Sequence, residues 1–121
     1  MAIISGHSRE DRIKKEYNRL KRLLKELPKE KLSAADGVIK RVAFMAITLE
    51  DLEDDINDNG TVEEFTQGEN TYDRQRPAAT IYNATIKNYT NACKQLTDLI
   101  PAEKKKTDGN DPFQKIMGRG G

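Results

Sequence analysis

Cysteine and histidine are almost absent from this chain, with one of each in 121 residues. A single thiol excludes an intrachain disulfide framework. Cys93 falls on an apolar stripe, where a buried structural thiol is expected. With only His7, in a terminal segment, no His/Cys cluster exists for zinc. Nor can a Ser-His-Asp or Cys-His set be assembled around an interior histidine. The chain is therefore not expected to be an enzyme, and no cofactor or metal is expected. No run of about 18 apolar residues is present, so no membrane span is expected. Met1-Ala2-Ile3-Ile4 is too short for a signal sequence, and the chain reads as cytosolic.

Basic residues are missing from about a quarter of the chain, in one continuous stretch. Residues 42–73 carry ten Asp/Glu and no Lys/Arg, a net of −10. Residues 1–41 carry twelve Lys/Arg against six Asp/Glu, a net of +6, and residues 74–121 carry nine against four, a net of +5. The overall charge of +1 conceals this basic–acidic–basic order. Such an order suggests charge complementarity between subunits and a basic end for an anionic partner. Apolar residues make up 36% and charged residues 34%, which favours an elongated helical protein or a subunit completed by its neighbours.

The apolar residues that are present are strongly periodic. Val38, Val42, Met45, Leu49, Leu52 and Ile56 alternate steps of four and three, giving a helix over 33–59 of roughly 40 Å. Its first half is apolar nearly all round, while Glu50, Asp51, Glu53, Asp54, Asp55 and Asp58 crowd the second. Ser33 with Asp36 offers a capping pattern at the start, and Asn59-Gly60 a stop. Ile13, Tyr17, Leu20, Leu24 and Leu27 mark an earlier helix over 9–27, closed by Pro28 and folded back on the central one. Tyr82, Ile86, Tyr89, Cys93, Leu96 and Ile100 mark a third over 77–100, antiparallel to the central helix. Between them, residues 61–76 read as a small hairpin turning at Gly68. The fold class is thus mainly α, with a single domain over 1–101 and a flexible tail over 102–121.

A partial calcium loop is a decoy. Asp55, Asn57 and Asn59 precede Gly60 with EF-hand spacing, but the twelfth position, which needs a bidentate Glu, is Thr66.

The segment Gly37-Val-Ile-Lys-Arg-Val-Ala-Phe-Met-Ala-Ile-Thr-Leu-Glu-Asp-Leu-Glu-Asp-Asp-Ile-Asn-Asp-Asn-Gly60 precedes a hairpin with Gly68. Arg76-Pro-Ala-Ala-Thr-Ile-Tyr-Asn-Ala-Thr-Ile-Lys-Asn-Tyr-Thr-Asn-Ala-Cys-Lys-Gln-Leu-Thr-Asp-Leu-Ile-Pro101 follows it. In order and spacing, from about Glu16 to Pro101, the chain resembles the small terminase subunits of tailed bacteriophages. The resemblance implies a non-enzymatic DNA-packaging factor in the cytoplasm of the bacterial host. It would form a ring-like homo-oligomer, bind double-stranded viral DNA and deliver it to the large ATPase/nuclease subunit. It would have no membrane partner.

The site residues come from local pattern. Arg12, Lys15, Arg19 and Arg22 fall three, four and three apart on the first helix, with Lys14, Lys21 and Lys25 beside them. Together they make a face that can follow phosphates. Phe113, Ile116 and Met117 form one apolar turn, a candidate contact for the large subunit. Two other classes fit the same pattern: a small helical DNA-binding regulator acting as a dimer, and a structural coiled-coil adaptor without DNA binding.

Overall fold

The computed structural model describes residues 8–101 and 111–118. Helix α1 spans Arg9–Leu23, α2 Lys29–Asn59, β1 Val62–Gln67, β2 Asn70–Gln75, α3 Pro77–Asp98 and α4 Pro112–Met117. The mainly helical fold with one antiparallel hairpin agrees with the sequence pattern.

Helix α1 starts where the Ser8 side chain accepts a hydrogen bond from the Asp11 amide at 3.1 Å. It closes at Leu24, four residues before Pro28, which cannot donate to a helix ladder. The central helix begins one turn earlier than its Ser33 pattern suggests, because Lys29-Glu-Lys-Leu32 are all good helix formers and the helix takes up directly after extended Pro28. Its 31 residues span roughly 46 Å. It stops at Gly60, whose φ of 79° is the left-handed conformation a side chain would resist. Gly68, at φ 63°, does the same at the hairpin turn. Pro77 occupies the first turn of α3, as its fixed φ favours.

Helix α2 packs between α1 and α3. Leu20 and Leu24 from α1 and its end, Ile39, Val42, Ala43, Ala46 and Leu49 from α2, and Tyr89, Cys93 and Leu96 from α3 form one buried core. The apolar turn near the C-terminus is not part of a detached tail. Helix α4 lies against α3 and α1, and Ile116 is 1% exposed within the same core, with Phe113 and Met117 partly buried beside it. Residues 102–110 and 119–121 of that segment lie outside the described residues.

Burial pushes the Cys93 thiol up to about 11, while a hydrogen bond with Tyr89 pulls the other way. The thiol has no exposed surface. It should therefore stay unreactive toward Ellman's reagent at pH 8 and react in full on denaturation, since the thiolate is the nucleophile. Stoichiometric labelling of the native protein within minutes would contradict this packing.

Candidate nucleic-acid interface

The seven cations expected on one face of α1 divide into two groups. Lys14, Lys15, Lys21, Arg22 and Lys25 are exposed. At 100° per residue, Asp11, Lys15, Asn18 and Arg22 form the middle of the outward stripe opposite the buried side, with Lys14 and Lys21 toward one edge and Lys25 just beyond the end of the helix. No ion pair ties Lys14, Lys15, Arg22 or Lys25 to an acid among the described residues. Lys21 lies over the Tyr17 ring, 5.3 Å from its centroid. The Tyr17 hydroxyl in turn donates to Asp36 of α2, which also pairs with Lys40 at 3.1 Å. These contacts, Tyr17 first, hold the Asp36 carboxyl below the usual carboxylate range.

Arg12 and Arg19 stand apart from this open face. Arg12 reaches across to α2, donating to Asp51 at 2.7 Å and Glu50 at 2.9 Å. Arg9 joins it on Asp51 at 2.7 Å and stacks over the Phe44 ring. Arg19 grips buried Glu16 through two bonds of 2.8 Å. Its remaining donors close on the last carbonyls of α4, Lys115 at 3.0 Å and Ile116 at 2.7 Å. The Glu16 bond raises the Arg19 pKa above its ordinary value, so the guanidinium stays charged. Both arginines sit at the border of the polar arc of α1, where a neighbouring element captures them. Their engagement is with this chain itself.

The acidic half of α2 is likewise partly neutralised from within. Arg9 and Arg12 cover Asp51 and Glu50. Arg76 covers Asp55 at 2.9 Å, and this pair, with Asn59, holds the Asp55 carboxyl below its usual range. The Tyr82 hydroxyl donates to Glu53 at 3.0 Å. The expected contact between this acidic half and a neighbouring subunit is thus reduced at its middle, and the exposed acids are Glu53, Asp54 and Asp58 of α2 with Glu64, Glu69 and Asp73 of the hairpin.

Exposed Lys29 and Lys31 continue the positive surface onto the start of α2, and exposed Lys40 and Arg41 lie further along it. The sequence pattern does not single these out. Their signal is the +6 of residues 1–41, of which the α1 stripe accounts for only a share. A positive surface thus spans two helices, on a helical body with a lone hairpin. Residues 14–112 match a family model described as phage terminase, small subunit. The chain belongs to the phage terminase small-subunit family. No curated protein and no solved structure matches it.

The match runs from within α1 to the start of α4, so it includes α2, the hairpin and α3 in full. Membership places this small subunit in phage DNA packaging, in a family that is generally a non-catalytic regulator. No helix among the described residues is long and apolar enough to cross a membrane.

Proposed function

We propose that this small subunit binds double-stranded viral DNA through the outward face of α1 and delivers it to the large terminase subunit, acting as a closed homo-oligomer in the host cytoplasm. The observation that carries the reading is the exposed cluster Lys14, Lys15, Lys21 and Arg22 on a helix whose other side is locked into the core, with exposed Lys25 just beyond its end. Long flexible cations on a fixed helix can neutralise successive phosphates. The family's role in packaging supplies the ligand. Titration of the full chain with duplex DNA at two salt concentrations tests it. Tight binding that weakens steeply with salt is expected, and no binding at low salt would contradict it.

Assembly draws support from α3. Its outward stripe Ile81, Ala84, Asn88, Asn91 and Gln95, spaced three, four, three and four, is exposed and carries no charge, in a chain that is one-third charged. Ile81 is 51% exposed, and Phe44 on α2 is 52% exposed. A stripe of this spacing suits helix packing between subunits. Light scattering should therefore give a mass above that of a dimer, and Ile81→Asp should shift it toward monomer. A stable monomer of the parent at micromolar concentration would refute the oligomer.

A further inference from the structure

Helix α1 carries one outward residue that phosphate contacts leave unused. Asn18 lies near the middle of the helix and is exposed, and its side-chain amide has no hydrogen-bond partner among the described residues. Asparagine suits an exposed helix interior poorly, because its short amide competes for backbone groups and favours caps and turns. A break of local preference with no compensating contact is what functional positions show.

The surface around Asn18 is ordered. Residues three and four away along a helix are surface neighbours. For Asn18 all four are cations: Lys14 and Lys15 before it, Lys21 and Arg22 after it. All four are exposed, and none is paired with an acid among the described residues. Consecutive residues stand about 100° apart around the axis, so the cations form two rows. Lys14 and Lys21 lie to one side of Asn18, Lys15 and Arg22 to the other. Between the rows, exposed Asp11 stands nearly in line with Asn18, one heptad before it. Within the helix, the line between the rows thus holds an amide and a carboxylate. A helix resting on a single phosphate strand needs cations along its middle, and Asp11 there would repel the strand. Two cationic rows flanking a polar line fit a helix lying in a major groove roughly 12 Å wide, with a phosphate strand on either side and base edges beneath. A helix with its side chains is about 10–12 Å across, so it spans that groove.

We propose that α1 enters the major groove of duplex DNA and that Asn18 reads an adenine there, an inference that rests on α1 being the DNA face. The carboxamide offers a donor and an acceptor side by side. That pair complements adenine N6 and N7, and no other base presents one donor beside one acceptor on its major-groove edge. The two tasks are then divided within one helix. The four cations hold the protein on the phosphates, and Asn18 chooses the register along the sequence. The core keeps the helix fixed for this purpose, since Leu20 and Leu24 are 0% and 1% exposed on the side facing α2. Duplex RNA does not substitute, because its deep, narrow major groove does not admit a helix.

The test selects bound duplexes from a random-sequence pool with the full-length protein, parent beside Asn18→Ala, and sequences the bound fractions. Duplexes held by the parent should be enriched in adenine at one position by about tenfold, the discrimination of one bidentate pair. The Asn18→Ala selection should lose that enrichment. Alanine is the better helix former, so the loss cannot come from a weakened α1. Affinity for an arbitrary duplex, and its slope against salt, should be the same for both proteins, because every cation remains. Replacing the selected adenine by 7-deazaadenine removes the N7 acceptor, which should weaken the parent and leave Asn18→Ala unchanged. Tight, salt-sensitive binding by the parent without base enrichment overturns the inference and leaves the proposed function intact. Enrichment that survives in Asn18→Ala also overturns it, by placing the readout on another residue. A parent that binds no duplex DNA overturns both this inference and the reading of α1 beneath it.

Discussion

Replacing Arg19 by Ala is expected to be the most destabilising alanine substitution among the cations of α1, at about 3 kcal/mol. Two losses combine. Glu16, 3% exposed, would keep a carboxylate inside the core with its guanidinium gone. The last carbonyls of α4, Lys115 and Ile116, would lose the donor that ties this helix to α1. Breaking a buried pair from one side costs far more than the pair is worth, because the remaining charge has no water to turn to. The side chain of Arg19 is still 23% exposed, so water entering the gap keeps the effect at the low end of the range. Glu16→Leu combined with Arg19→Met removes both charges at similar volume and should recover much of the loss. Lys15→Ala, four residues away on the exposed face, should change stability by no more than about 0.5 kcal/mol. Urea denaturation of the three variants followed by circular dichroism measures all of these. An Arg19→Ala midpoint equal to the parent's would show that the α1–α4 clamp contributes nothing.

Sequence spacing groups Arg12 and Arg19 with the open cations because the elements that capture them lie so far along the chain, although Glu16, the other partner of Arg19, is only three residues away. A helical wheel of α1 shows Arg12 and Arg19 at the border between the apolar and polar arcs, and border residues go to whichever neighbour arrives. For Arg12 that neighbour is Asp51, 39 residues away, and for Arg19 it is the end of α4, 96 and 97 residues away. Periodicity reports the face a residue occupies and says nothing about a partner so remote. The long stripes of α2 and α3 were legible for the opposite reason: Val42 and Leu49, or Cys93 and Leu96, are buried because their own helix repeats them on one side. The hairpin was legible through Gly68 and its flanking residues, and the register then follows from the two-residue turn. Phe113, Ile116 and Met117 showed their helical spacing, but not that the core of their own chain would cover them.

Substituting Lys15 and Arg22 together by Ala should weaken DNA binding at least about tenfold at moderate salt, while leaving fold and assembly intact. Both side chains are exposed and have no acid partner among the described residues, so their removal uncovers nothing. Each phosphate left without its cation lowers the slope of log affinity against log salt by about 0.9, so two per engaged subunit flatten it by nearly two. All duplex sequences should weaken alike, since cations on phosphates position a protein without reading bases. Repetition of the face around an oligomer multiplies a modest change in one subunit into a large one in the assembly. Arg12→Ala makes the informative contrast: it takes from Glu50 and Asp51 the guanidinium that bridges them, so it should lower stability with a smaller effect on the salt slope. Equal affinity and equal slope for parent and the Lys15/Arg22 variant would remove α1 as the DNA-binding element.

The most direct measurement is photo-cross-linking of the full-length protein to duplex DNA, with the linked peptides read by mass spectrometry. The expected result is linkage concentrated in residues 14–25, with lesser linkage at Lys29 and Lys31, and none in the hairpin. Linkage confined to Lys104–Lys106, outside the described residues, or to the hairpin, with α1 unlabelled, would contradict the assignment of the DNA face.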